Sequence, residues 1–149
     1  GVNNMSAVKW DATILDEEKI ETADIVIADL PCSGLGVLGK KTDLKYKTSA
    51  EIQKSLVQLQ RDILKQVRQY VKAEGTLIYS TCTIHKDENM GNVHWFLENF
   101  PEFELVSIED RLCKELKEDV IEKGCMQFLP GKHQSDGFFI SKFRKVQHG

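Results

Sequence analysis

Two of the four cysteines, Cys32 and Cys82, stand where a thiol could do covalent chemistry. Each follows a short apolar run. Cys32 closes Asp24-Ile25-Val26-Ile27-Ala28-Asp29-Leu30-Pro31-Cys32, and Cys82 closes Gly75-Thr76-Leu77-Ile78-Tyr79-Ser80-Thr81-Cys82. A cysteine acts as a nucleophile where its surroundings favour thiolate and leave the sulfur accessible. If the two runs are neighbouring strands, their backbones lie about 4.8 Å apart, and both sulfurs can reach one small substrate. A lone cysteine at a strand end reads as a small buried hydrophobe. Two in matching places, one behind an Asp-Leu-Pro turn, point instead to a shared site. Cys113 and Cys125 sit in poorly patterned sequence and have no such setting.

The elements that must position these thiols follow from periodicity. The unbroken run Ile25 to Ala28 suits a buried parallel strand, spanning residues 24–30 and covered on both faces. Asp29 and Cys32 then fall just beyond its carboxyl end, where open α/β sheets bind ligands. Gly34, Gly36 and Gly39 permit a tight turn and close approach. Thr48-Ser49-Ala50-Glu51 has the form of a capping box. Behind it Ile52, Leu56, Leu59, Ile63, Val67, Tyr70 and Val71 recur at steps of three and four, predicting a long amphipathic helix that ends before Gly75. Residues 76–82 form the second strand, and a right-handed crossover makes the pair parallel. Asp87 and Glu88 favour the start of a second helix through its dipole, with Met90, Val93, Trp95, Phe96 and Leu97 on its buried side. Short strands are expected at 7–10, 103–106 and 138–143. Residues 108–124 read as irregular or partly helical.

At 149 residues the chain is the size of one domain, and its 41% hydrophobic and 29% charged content suits a globular protein. No apolar run approaches a membrane span, and the first residues lack signal-peptide character. The cysteines show neither zinc-type spacing nor disulfide-scaffold density, and the four histidines show no ligand spacing, so no metal is expected. A reducing cytoplasm is the expected location. The formal charge of −3 runs against a nucleic-acid partner. However, Lys40, Lys41, Lys45 and Lys47 gather in the loop after the first cysteine turn, where phosphate could be met. Lys132, Lys142, Arg144 and Lys145 form a second basic group.

Asp29-Leu30-Pro31-Cys32-Ser33-Gly34 and Ser80-Thr81-Cys82-Thr83 resemble the two cysteine motifs of the Sun/Fmu family of RNA cytosine-C5 methyltransferases, nearest its bacterial 16S ribosomal RNA branch. Gly39 to Tyr46 resembles the family's basic loop, Glu88-Asn89 the pair after its second motif, and Asp136-Gly137-Phe138-Phe139 its closing strand. The resemblance covers almost the whole chain. It implies a Rossmann-like α/β sheet of order 3-2-1-4-5-7-6 with its last strand antiparallel. It further implies S-adenosylmethionine as cofactor and ribosomal RNA as substrate. Cys82 is then the thiol that adds to C6 of cytosine, and Cys32 the one that assists product release. Asp29 would bind the base's polar edge beside the cofactor, and Pro31 would stiffen the turn. Asp11 would contact the cofactor's adenine, and Lys40 and Lys41 would meet RNA phosphate.

The chain also departs from the family. The family's glycine-rich cofactor loop and first strands have no counterpart here, nor does the N-terminal RNA-binding domain of its bacterial members. An arginine pair and a tryptophan of the basic loop are replaced by Lys40, Lys41 and Tyr46. The resemblance therefore implies that residues 1–149 are the C-terminal portion of a methyltransferase catalytic domain, truncated and inactive alone. Strand 24–30 would then expose an unpaired apolar edge, through which the chain could self-associate, or residues 1–20 would be left poorly packed. Two other readings stay open: a different S-adenosylmethionine-dependent nucleic-acid methyltransferase, and a noncatalytic module that binds RNA or protein.

Overall fold

The computed structural model describes residues 1–37 and 49–147. Five strands lie in the order β1 (Ala23–Asp29), β2 (Val71–Thr81), β6 (Phe138–Lys145), β5 (Cys125–Phe128) and β4 (Val120–Glu122), and β3 (Phe103–Leu105) also pairs with β6. β1 and β2 are parallel, joined through helix α1 (Ala50–Val67), and every other pairing is antiparallel. One edge of β6 carries β2. Its other edge is shared, with β5 against Phe138–Ser141 and β3 against Phe143–Lys145. This mixed sheet has the parallel pair and antiparallel last strand expected of a truncated methyltransferase sheet.

Helix α1 begins at Ser49, whose hydroxyl accepts from the Ile52 N–H at 3.3 Å and so satisfies one free amide of the first turn. Thr48, expected to cap this helix, lies outside the described residues. The stripe of Leu56, Leu59 and Ile63 turns inward as expected, while Ile52, in the first turn, is exposed. The helix stops at Val67, earlier than its periodicity predicts. A single 3-10 turn over Arg68–Tyr70 follows, and Val71 already belongs to β2. β2 is long because it absorbs a bulge: Ala23 pairs with Val71 but Ile25 with Thr76, and Glu74 takes φ 62° within the extra residues.

The core lies between the sheet and the two helices. Val71, Leu77, Tyr79, Phe139 and Phe143 from the strands pack with Leu64 of α1 and with Val93 and Phe96 of α2 (Met90–Asn99). The Phe96 ring stacks with Phe100, Phe103 and Phe143 at centroid distances of 5.0, 5.2 and 4.9 Å. Burying each such ring contributes roughly 2–3 kcal/mol. These aromatics are therefore core and not platforms for stacked bases.

Three further expectations fail. Residues 7–10 form no strand: Val8 and Trp10 are exposed, and a run of four residues with no neighbour to pair with gains no ladder. β1 is covered on one face alone among the described residues. Ile25 and Ile27 are 61% and 68% exposed, because α1 and α2 pack on the opposite side and β1 is the edge of the sheet. Residues 120–128, expected to be irregular up to 124, form a hairpin. Glu122 pairs with Cys125 across a two-residue loop in which Gly124 takes φ 80°, a backbone open to glycine at little cost. Strands of three and four residues are too short to show a period.

Candidate active site

The β1–β2 register sets the site. Asp29 pairs with Ser80, and the Leu30 N–H continues the ladder by donating to the Ser80 carbonyl at 3.2 Å. Both chains then leave the sheet at the same level, Cys32 three residues past β1 and Cys82 one past β2. Their sulfurs stand 3.2 Å apart, both half-buried and both free. Two residues separated by fifty positions thus meet at the carboxyl rim of the parallel pair.

Glycines let the surrounding backbone close in. Gly34 adopts φ 68°, a conformation a Cβ disfavours. Two residues on, the Gly36 N–H donates to the Cys82 carbonyl at 3.1 Å, and the Gly137 N–H donates to the Gly36 carbonyl at 2.7 Å. Each of the three chain segments is therefore tied to the next: the Cys32 loop to the end of β2, and the start of β6 to the Cys32 loop. Burial pushes the Cys32 thiol up to about 12, and its contact with Cys82 adds to the shift. Cys32 therefore keeps its proton at neutral pH and can donate it toward the Cys82 sulfur.

Of the other expected site residues, Asp29 and Pro31 are beside the thiols. Asp29 is exposed at the rim, and its Oδ1 accepts from the Ser80 hydroxyl at 2.9 Å, which fixes the carboxylate's direction. The Pro31 carbonyl accepts from Gln60 Nε2 of α1 at 2.9 Å. Asp11 lies in the exposed N-terminal segment and makes its bonds inside its own turn. Its Oδ1 accepts from the Thr13 hydroxyl at 2.7 Å and the Thr13 N–H at 2.9 Å, and these hold its carboxyl below the usual range. Lys40 and Lys41 lie outside the described residues, as do Gly39, Lys45 and Lys47 of the same loop.

Sequence reasoning missed the polar layer beneath the thiols. Ser33, Gln60, Thr81, Thr83, Glu88, Asn89 and Asn92 are all buried. The Ser33 and Thr83 hydroxyls meet at 2.8 Å, linking the residues that follow each cysteine. Asn89 accepts from the Thr81 hydroxyl at 2.6 Å and donates to the Thr83 carbonyl at 3.0 Å, bracketing Cys82 on both sides. The Glu88-Asn89 pair was the visible signal. Its acid does not serve the α2 dipole, since Glu88 lies outside the helix with its side chain fully buried.

The second basic group is largely neutralised. Lys132 pairs with Asp119, Arg144 with Glu74, and Lys145 with Glu21 at 2.8 Å. His133 is held structurally, its Nδ1 accepting from the Leu129 N–H at 2.8 Å and its Nε2 lying 3.0 Å from Asp119. Among the described residues no group of three or more His, Cys, Asp or Glu side chains could hold a metal, and no helix is long and apolar enough to cross a membrane.

A family model described as 16S rRNA methyltransferase RsmB/F matches residues 1–144. The chain is 39% identical over 126 residues to the probable ribosomal RNA small subunit methyltransferase B of Bacillus subtilis, covering 84% of this chain and 28% of that protein. It is 29% identical to ribosomal RNA small subunit methyltransferase F of Klebsiella pneumoniae, covering 98% and 31%. The crystal structure of NSun6 from Pyrococcus horikoshii with SFG superposes with a TM-score of 0.78 at 29% identity, over 99% of this chain and 36% of that one. The chain spans under a third of the length of these curated relatives.

Proposed function

Because the chain belongs to the RsmB/F family of 16S rRNA methyltransferases, we propose that it is the C-terminal portion of the catalytic domain of a cytoplasmic RNA cytosine-C5 methyltransferase acting on ribosomal RNA. The observation that carries this reading is the 3.2 Å approach of the Cys32 and Cys82 sulfurs at the carboxyl rim of two parallel strands.

Carbon 5 of cytosine is a poor nucleophile. Addition of the Cys82 thiolate to C6 forms a C–S bond and moves the ring's electron pair toward C5 and N3, which gives C5 its nucleophilic character. Asp29, oriented by Ser80, hydrogen-bonds the polar edge of the base and supports the charge shift at N3. S-adenosylmethionine supplies the methyl group that C5 takes up. Loss of the C5 proton to solvent water then returns an electron pair to the ring, the C6–S bond breaks, and Cys82 leaves as thiolate. Cys32, whose sulfur lies within one atom's breadth of the Cys82 sulfur, assists this release.

The chain's own contribution to the cofactor is modest. Asp29 at the rim and Asp11 in its Thr13-braced turn offer carboxylates suited to hydroxyl and amino donors. The rest of that site would come from residues beyond this chain. The 149 residues alone are therefore expected to be inactive. Lys40 and Lys41 would meet RNA phosphate, and the exposed Ile25 and Ile27 support the reading that the isolated chain self-associates through β1.

Separate substitutions in the whole enzyme test the reading. Cys82→Ala should abolish methyl transfer, whereas Cys32→Ala should form the RNA adduct and fail to release it. Transfer that survives Cys82→Ala but not Cys32→Ala would refute the assignment and favour the chemistry of DNA cytosine-C5 enzymes, in which the Pro-Cys thiol attacks. Transfer that survives both would favour amino-group methylation, which needs no thiol.

A further inference from the structure

The turn that carries Cys32 is held from below by a single buried carboxylate. Glu88 is 0% exposed. Its Oε2 accepts from the Ser33 N–H at 2.9 Å and from Gln60 Nε2 at 2.9 Å. The second hydrogen of the same Gln60 nitrogen goes to the Pro31 carbonyl, also at 2.9 Å. Glu88 therefore grips the residue after Cys32 directly and the residue before it through Gln60. The amide of Gln60 cannot flip, because its Oε1 accepts from Asn92 Nδ2 at 2.8 Å. Asn92 is in turn oriented by Arg61, whose Nε donates to its Oδ1 at 3.0 Å. The backbone carbonyl of Glu88 accepts from the Tyr79 hydroxyl, which anchors the residue to β2.

Stability does not explain a carboxylate here. Burying one is costly, and an apolar side chain of similar volume often serves folding as well or better. Its Oε1 has no hydrogen-bond partner among the described residues, and the nearest basic atom, His85 Nδ1, is 3.7 Å away and also unpartnered. What the side chain does supply is one oxygen that accepts two N–H groups at once. Both of those groups flank or reach the cysteine turn.

We propose that Glu88 is the positioning residue for Cys32: through Ser33 and Gln60 it fixes the Pro31–Ser33 turn so that the two sulfurs face one another at 3.2 Å. The inference deepens the methyltransferase reading and rests on it for its consequence in turnover. The geometry can be read independently of that chemistry.

The test uses the whole enzyme and the thiol oxidant diamide, which takes up two hydrogens as Cys32 and Cys82 join in a disulfide. Peptide mapping gives the rate of that bond. Glu88→Ala should slow it by on the order of tenfold or more, since an ångström of misplacement has effects of this size on reactions between held groups. Glu88→Gln keeps an oxygen for both donors and should restore most of the rate. In methyl transfer, Glu88→Ala should lower kcat with RNA adduct accumulating and KM for RNA unchanged. An unchanged disulfide rate in Glu88→Ala would overturn the inference. If Glu88→Ala does not fold, Gln60→Met removes the bridge from Glu88 to Pro31, and with it the Asn92 bond, while the Ser33 bond stays in place; the disulfide should again form more slowly, and an unchanged rate overturns the inference equally. Failure of the methyltransferase reading is a separate result: no adduct in Cys32→Ala, whatever the disulfide rates.

Discussion

Replacing Gly36 by alanine should damage the site without touching either thiol. An added Cβ would lie 2.2 Å from the Gly137 carbonyl oxygen, 2.7 Å from its carbon and 2.8 Å from the Cys82 carbonyl oxygen. All three are backbone atoms, so no flexible side chain can swing away. Ordinary contact begins at 3.4 Å, so the loop must retreat by about 1.2 Å. That retreat stretches the Gly36 N–H bond to Cys82 and the Gly137 N–H bond to Gly36. Overpacking of this kind costs roughly 1–3 kcal/mol, and two weakened hydrogen bonds add about 1 kcal/mol. A total of about 2–4 kcal/mol corresponds to a fall in Tm of roughly 4–15 °C for a domain of this size. Because the Cys82 carbonyl is one of the atoms displaced, methyl transfer measured well below the new Tm should also fall. Differential scanning fluorimetry and a tritiated-methyl transfer assay read the two effects. A variant with the Tm and transfer rate of the parent enzyme would refute the close approach of these three segments.

Two further outcomes follow from the same geometry. Cys32, with its thiol pushed up from 9.0 to about 12, should react with iodoacetamide at pH 8 about fiftyfold more slowly than a free cysteine. Its thiolate fraction is about a thousandfold smaller, and the greater nucleophilicity of a more basic thiolate recovers roughly twentyfold; peptide mapping that finds Cys32 as reactive as free cysteine would contradict its burial. Ser49→Ala removes the oxygen that accepts from Ile52 at the start of α1, which should cost about 0.5–1 kcal/mol in urea denaturation, whereas an unchanged midpoint would show that this exposed cap contributes nothing.

Much of the fold was legible because its long elements carry strong periods. The stripe through Leu56, Leu59 and Ile63 gave α1, and the runs ending at Asp29 and Thr81 gave the parallel pair. The adjacency of Cys32 and Cys82 could be read because each thiol sits a few residues past a strand, and parallel neighbours end at the same edge. The 120–128 hairpin was hidden, since strands this short leave no period. The end of α1 was hidden too: Tyr70 and Val71 keep the helical spacing, but tertiary pairing of Val71 with Ala23 draws them into the sheet. The polar layer of Gln60, Glu88 and Asn92 was illegible for a different reason. Polar residues on amphipathic elements read as solvated, and only their partners in space show that they are buried and satisfied.

In the proposed mechanism two sulfurs serve one base, and the Cys82 sulfur is the atom that bonds to it. The most direct measurement takes the Cys32→Ala enzyme, incubates it with substrate RNA and S-adenosylmethionine, and locates the trapped nucleotide by mass spectrometry after trypsin and nuclease digestion. Tryptic peptide 73–86 carries Cys82 as its one cysteine. The expected result is that peptide with the added mass of a methylated cytidine nucleotide. A nucleotide bound to any other peptide, or free methylated RNA with no adduct at all, would contradict it.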